Sequence, residues 1–419
     1  MVFSQKLLEL AEKADVELSE IFKDIDKIEF ENLQRVMDAF SEHKVADAMF
    51  DSTSGYGYDD KGRDTLDLIW ADVMGAEAAL VRHNIVSGTH ALTIGLFGLL
   101  RPGDIMFSVA GKPYDTLEEV IGIVGEAGNG SLRDFGVEYM QADLKDDGFD
   151  FEAIEKGLRD NPGKVKVVFI QKSKGYLNRK TLTSSEIGEV VKLVKSVSPE
   201  TFVVVDNCYG EFVETTEPTM LGADLIIGSL IKNPGGGMAE SGGYFAGSKK
   251  AIELVSYRLT SPGVGGEVGA TLGQNKSLYK GLFYAPHTVA EAIKTAHFAA
   301  YIFENLGFKV EPKWTDRRAD IIQTVITEDP EKLCAFCRGI QAGSPVNAYV
   351  TPVPWAMPGY TDEVIMAAGT FTQGASIELS ADGPLRSPYT AFFQGGLTYQ
   401  SGKLGILSAA QAMIDANLL

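Results

Sequence analysis

The sequence has only three cysteines, Cys208, Cys334 and Cys337, too few and too unevenly placed for a disulfide framework. A reducing cytoplasm is therefore the expected home. No uninterrupted apolar stretch approaches the roughly 18 to 20 residues that a bilayer span requires. The opening "MVFSQKLLELAEKADVELSEIF" has helical apolar spacing but no small-residue cleavage signature, so it reads as an amphipathic helix and not a signal peptide. Positive charge is also scarce: 38 Lys and Arg stand against 57 Asp and Glu, for a net charge of -19. A surface that acidic repels nucleic-acid phosphates and anionic lipid, so neither is an expected partner, and any anionic ligand must be held by a local site. Five histidines, His43, His83, His90, His287 and His297, lack metal-ligand spacing, and Cys334 and Cys337 form a lone CxxC in a helical stretch. Packing, not zinc or redox work, is the reading for that pair, and no metal is expected.

What is present is ordinary globular material. Hydrophobic content of 45% and charged content of 23% fit a folded chain, and 419 residues suggest two or three structural units. Residues 1–50 read as two helices, over 5–22 and 30–48. A polar, aromatic loop or arm, "DSTSGYGYDDKGRDTLD", follows at 51–67. Then come seven β-rich runs, "AALVR", "DIMFSVA", "VEYMQA", "KVKVVFIQ", "TFVVVDN", "DLIIGS" and "GYFAG", separated by helical stretches. Continuous apolar runs in that alternation predict an α/β fold, with mainly parallel strands covered on both faces. A helix over 288–306 and a change of texture after about 285 suggest a smaller α+β domain to the C-terminus. The expected division is 1–50, 51–285 and 286–419.

Ligands of open parallel sheets sit beyond the carboxyl ends of the strands, and four loops there are chemically suggestive. Ser87, Gly88 and Thr89 open an apolar helix whose free N–H groups suit a phosphate, although Ser-Gly-Thr is also an ordinary N-cap. Asp206 emerges from a buried strand in "DNCYGEF", where a protonated ring nitrogen would give a buried carboxylate its cationic partner. Lys232 follows "ADLIIGS" with Ser229 three residues before it; a desolvated lysine there is expected to have a lowered pKa and to form a Schiff base. Tyr114, in "VAGKPYDTLEEV", offers a flat face to an aromatic ring. Phosphate, ring, pyridinium nitrogen and aldehyde together outline pyridoxal 5'-phosphate. A phosphate loop built on "KNPGGG" is disfavoured, because its lysine precedes the glycines.

The chain resembles the fold-type I pyridoxal-phosphate enzymes and, within them, the cystathionine and methionine lyase branch. Its "GSLIKNPGGG" and "VVVDNCYGEF" are similar to segments of the aluminium-resistance or methionine gamma-lyase-like group, and the resemblance runs from about Tyr56 to Arg386. It implies a large domain with a mainly parallel seven-stranded sheet between helices, plus a smaller C-terminal α+β domain. Lys232 then corresponds to the Schiff-base lysine and proton shuttle, Asp206 to the partner of the pyridine nitrogen, Tyr114 to the stacking tyrosine, and Gly88, Thr89 and Ser229 to phosphate binders. The branch places a Tyr-x-Arg element of a neighbouring subunit on the phosphate. Here Tyr56 or Tyr58 is in place with no arginine two residues on, and Lys61 or Arg63 is the candidate substitute. A homodimer or homotetramer with shared active sites follows from the resemblance. Arg386, by its forked geometry, is the candidate for the substrate carboxylate, and Gln171 and Ser173 are expected to line the pocket. The implied activity is a carbon–sulfur lyase acting on cystathionine, methionine or cysteine by β- or γ-elimination. An aminotransferase would use the same residues, and a non-catalytic binding protein is the remaining alternative.

Overall fold

A computed structural model describes residues 1–146, 148–177 and 179–419. The N-terminal helices are α1 (Gln5–Glu17) and α2 (Ser19–Glu42). The sequence suggests a break over the charged stretch 23–29, but the helix continues there because Ile25 and Asn32 extend its buried stripe. The turn falls instead at Leu18, which is fully buried. The arm is shorter than the composition implies, since α3 (Lys61–Met74) begins inside it, with the Asp60 carboxylate capping the Arg63 N–H at 2.9 Å.

All seven apolar runs form strands of one sheet: β1 (Ala78–Arg82), β2 (Ile105–Ser108), β3 (Glu138–Gln141), β4 (Val165–Gln171), β5 (Phe202–Asp206), β6 (Leu225–Ser229) and β7 (Gly243–Gly247). Their order is β1-β7-β6-β5-β4-β2-β3, and only β7 runs against its neighbours. Val167, Val168, Phe169 and Ile170 are all fully buried, as expected of a strand covered on both faces. The covering helices include α4 (Gly88–Leu99), α5 (Asp115–Ile121), α6 (Phe151–Asp160), α7 (Ser184–Val197) and α8 (Lys249–Leu259).

Helix α9 (Asn275–Asn305) starts well before the predicted 288 and passes through Pro286. A proline reads as a boundary in sequence, yet here the two halves of the helix are pinned by different cores. Leu278, Leu282 and Ile293 pack with the large sheet, whereas Phe298 to Phe303 pack with the C-terminal elements. Those elements are β8 (Lys309–Glu311), β9 (Gln323–Ile326), α10 (Pro330–Ala342), β10 (Val364–Ala367), β11 (Ser380–Pro384), β12 (Thr390–Gln394) and α11 (Tyr399–Asp415). Their strands form a separate sheet in the order β10-β11-β12-β9-β8. Leu7, Ala11, Ala14 and Leu18 of the N-terminal segment pack into this second core, and so do Cys334 and Cys337. Among the described residues, no helix is long and apolar enough to cross a membrane.

Candidate active site

The parallel strands β4, β5 and β6 end side by side, with Gln171 in register with Asp206 and Asp206 with Ile227. Beyond these ends a cavity of about 470 Å³ opens between the two sheets, and its wall includes Ser87, Gly88, Thr89, Tyr114, Asp206, Ser229 and Lys232. The structure thus gathers the four sequence elements around one space.

At one end, Ser87 is the N-cap of α4 and accepts a 3.0 Å hydrogen bond from the His90 N–H, the ordinary capping role. The N–H groups of Gly88 and Thr89 lie in the first turn beyond the cap, where a helix leaves donors without internal acceptors. A Cβ on Gly88 would lie 3.6 Å from the Ser229 Cβ, so helix terminus and strand end are neighbours. Ser229 is itself buried, and its Oγ has no hydrogen-bond partner among the described residues. An orphaned hydroxyl beside free helical N–H groups and facing a cavity is the arrangement a phosphate satisfies.

At the other end, burial pushes the Asp206 carboxyl up and Lys232 partly offsets it. The Asp206 carboxylate also accepts the Cys208 N–H at 3.1 Å. For Lys232 the expected lowering of the pKa is not what the structure gives. Burial pulls it down, but Tyr209, Cys208 and Asp206 outweigh that pull, and the net direction is up. The ammonium nitrogen lies 3.9 Å from the centroid of the Tyr209 ring, a cation–π contact that favours the charged form. Tyr209 was within reach of the sequence reading, three residues after Asp206. What singles it out is its left-handed backbone, φ +71, which composition does not show.

Tyr114 is held from several sides. Its N–H donates to the Gln171 Oε1 at 2.6 Å, and its hydroxyl shares a 2.7 Å hydrogen bond with that of Tyr360. Gly175, at φ +55, approaches so closely that a Cβ would sit 3.0 Å from the Tyr114 ring. Gln171 and Ser173 line the cavity, yet the Gln171 amide is committed to Tyr114 and to the Ser173 carbonyl, at 3.1 Å. It therefore positions the tyrosine.

Arg386 is not brought into this cavity. It is about one-third exposed and pairs with Asp362 at 2.9 Å, and among the described residues no arginine lines the space. Tyr56 and Tyr58 are strongly exposed on the arm, 6.0 Å apart, and do not line this chain's own cavity. Arg63 cannot serve as a mobile phosphate ligand, because it is buried and donates to the carbonyls of Gly57, Gly269 and Glu267. Asp382, on the opposite wall, escaped the sequence reading because Asp-Gly signals a turn, whereas here it lies inside β11.

Behind the site, Glu211 is buried and accepts the Tyr244 hydroxyl at 2.9 Å. Burial pushes its carboxyl up to about 8. A carboxyl raised in the folded state stabilises fully below its ordinary value, and that contribution is lost as pH rises towards the folded value. Wild-type melting temperature should therefore fall between about pH 5 and about pH 8, while Glu211→Gln, which cannot ionise, should fall much less. Parallel slopes in thermal melts of the two proteins would refute the assignment.

The sheet order and the lysine–aspartate pair beyond its carboxyl ends define the class: a fold-type I enzyme of the pyridoxal-phosphate-dependent kind. The fold is shared with the pyridoxal-5'-phosphate-dependent protein YhfS of Escherichia coli at TM-score 0.63, with 15% identity over 93% of this chain and 97% of that one. The methionine gamma-lyase family model matches residues 7–414, and the chain belongs to that family. It is 52% identical over 420 residues to the uncharacterized protein YnbB of Bacillus subtilis strain 168, covering 100% of this chain and 99% of YnbB. A carbon-sulfur lyase involved in aluminum resistance from Clostridium novyi NT superposes at TM-score 0.94, with 50% identity over 98% of this chain and 96% of that one. The L-methionine gamma-lyase of Treponema denticola is 27% identical over 220 residues, which cover 52% of this chain and 49% of that enzyme.

Proposed function

We propose that this chain is a pyridoxal-phosphate-dependent carbon–sulfur lyase, which cleaves a sulfur-containing amino acid by β- or γ-elimination to a thiol, ammonia and a 2-oxo acid. The observation that carries the reading is the set of groups facing one cavity: Lys232, Asp206, and the orphaned Ser229 hydroxyl beside the α4 terminus. Membership of the methionine gamma-lyase family supports the choice of leaving group.

The residues present fit the cofactor. Ser229 Oγ and the N–H groups of Gly88 and Thr89 would hold its phosphate, the Asp206 carboxylate its ring nitrogen, Tyr114 one face of the ring, and Lys232 its aldehyde. When bound, pyridoxal phosphate supplies an electron sink for negative charge at the substrate α-carbon. Lys232 Nζ, once free, takes the α-proton and returns a proton as the C–S bond breaks and sulfur leaves as a thiol. Tyr209 beneath the nitrogen stabilises it while it carries that proton. Asp206, buried and next to Lys232, would hold the ring nitrogen in its protonated form. Residues of both sheets line the space in which these transfers take place. The exposed Tyr56 and Tyr58 support a homodimer or homotetramer in which the arm of one subunit reaches a neighbour's site.

Purified protein incubated with pyridoxal phosphate should turn yellow and then release thiol and 2-oxo acid from cystathionine, cysteine or methionine. A colourless protein that takes up no cofactor would sink the proposal. Keto acid formed only when an amino acceptor is supplied would reassign the chain as an aminotransferase.

A further inference from the structure

A second cavity, of about 520 Å³, lies between α2, α9, the loop after β5 and the loop between β8 and β9. It shares no lining residue with the first, and its size is that of a small-molecule site. Ile21, Ile25, Ile28, Phe212, Pro286 and Ile293 make much of its wall apolar. Two polar side chains of the lining are almost wholly buried: His297 is 4% exposed and Arg318 5%.

Neither is satisfied by the protein. His297 Nδ1 lies 2.7 Å from the Trp314 carbonyl, an oxygen that only accepts, so Nδ1 carries the proton and Nε2 is an acceptor. Burial and the nearby Arg318 push the His297 pKa down to about 3, which keeps the ring neutral. Among the described residues nothing donates to its Nε2. Arg318 Nη2 donates to the Gln323 Oε1 at 2.5 Å, but Nε and Nη1 have no hydrogen-bond partner among the described residues. Burial lowers the guanidinium to about 10, so it stays charged at neutral pH. Asp320, Asp316 and Glu311 attract it through space, yet none is ion-paired with it among the described residues. The Asp320 carboxylate accepts instead from the Thr181 hydroxyl at 2.6 Å and the Ile322 N–H at 2.9 Å, and that of Asp316 from the Lys313 N–H at 2.9 Å.

A free acceptor and a half-satisfied cation thus meet on the wall of an apolar space. Leaving either unmatched is costly, so a ligand should bring a donor to one and negative charge to the other. The remaining charged lining disfavours a simple anion. Asp24, Glu29, Glu31, Glu214 and Asp316 are offset only by Arg317, which is 79% exposed and already paired with Glu214 at 3.2 Å. A zwitterion meets all three demands, with an ammonium for Nε2, a carboxylate for the guanidinium and no net charge to be repelled.

We propose that this cavity is a second, non-catalytic site for a free aliphatic amino acid. Its carboxylate rests on Arg318, its ammonium donates to His297 Nε2, and its side chain packs against the isoleucines of α2. The site owes nothing to the lyase chemistry and stands or falls separately from it.

L-leucine is the probe, with 3-methylbutylamine and 4-methylpentanoate as analogues that lack its carboxylate and its ammonium respectively. Calorimetry is done on protein treated with pyridoxal phosphate and then borohydride, so that cofactor fixed to Lys232 cannot exchange with an added amine. Leucine should bind saturably, and each analogue should bind at least about tenfold more weakly. Arg318→Gln should bring leucine down to the affinity of 3-methylbutylamine. Ile28→Trp, which fills the cavity from the half-buried side of α2 and leaves Arg318 in place, should abolish binding with native circular dichroism. If Arg318→Gln fails to fold, Ile28→Trp decides alone. Absence of saturable heat with leucine, analogues as tight as leucine, or leucine binding unchanged in folded Ile28→Trp would overturn the proposal.

Discussion

Lys232→Ala is expected to lower lyase turnover by at least about 10³-fold and to abolish covalent attachment of the cofactor. Lys232 is the only lysine on the cavity wall among the described residues. The other buried lysines nearby are occupied: Lys172 with Glu214 at 3.2 Å and Ser184 at 3.0 Å, Lys174 with the Glu311 carbonyl at 3.2 Å. Neither can stand in for it. Borohydride treatment followed by peptide mass spectrometry should find the cofactor on the wild-type peptide containing Lys232 and nowhere in the variant. The phosphate cradle and Asp206 remain in the variant, so non-covalent uptake should persist. Cofactor fixed to another lysine with turnover retained would show that the nucleophile had been misassigned.

Gly235→Ala should have the largest effect on stability, about 3 kcal/mol or more. A Cβ there would lie 1.7 Å from the Leu230 carbonyl oxygen and 2.8 Å from the Ala239 Cβ. The first obstacle is backbone and cannot rotate away. Relief requires moving the turn itself, and the Gly235 N–H donates to the Lys232 carbonyl at 3.2 Å, so the shift would displace the lysine too. Gly237→Ala is the matched comparison: its left-handed φ of +73 carries a cost, but its Cβ meets only the Leu397 side chain, which can move. About 1 kcal/mol is expected there. Urea denaturation of the three proteins decides the matter, and a Gly235→Ala midpoint equal to wild type would contradict the account.

The glycines of "NPGGG" also illustrate what the sequence leaves open. Read alone, they suggest a backbone kept bare for the cofactor. In the fold they admit helix α9: a Cβ on Gly236 would come 2.4 Å from the Gly281 carbonyl, and one on Gly281 would come 2.5 Å from the Gly235 carbonyl. Nothing within the motif distinguishes close approach to a ligand from close approach to a helix 45 residues later, because both demand the same missing Cβ. Arg386 makes the same point, since forked geometry suits a substrate carboxylate and an Asp362 side chain equally.

The sequence by itself determined the seven strands, the α/β class and the core of the candidate site. Those features rest on local pattern: unbroken apolar runs, and the few residues directly after them, whose position at the strand ends follows from strand length. Tertiary structure alone decided the upward shift of Lys232, the role of Gln171 as a support for Tyr114, the placing of Arg386 outside the cavity and that of Asp382 on its wall. Each depends on which distant side chains share a low-dielectric space, and burial and Coulomb attraction act through distance in the fold, not separation along the chain.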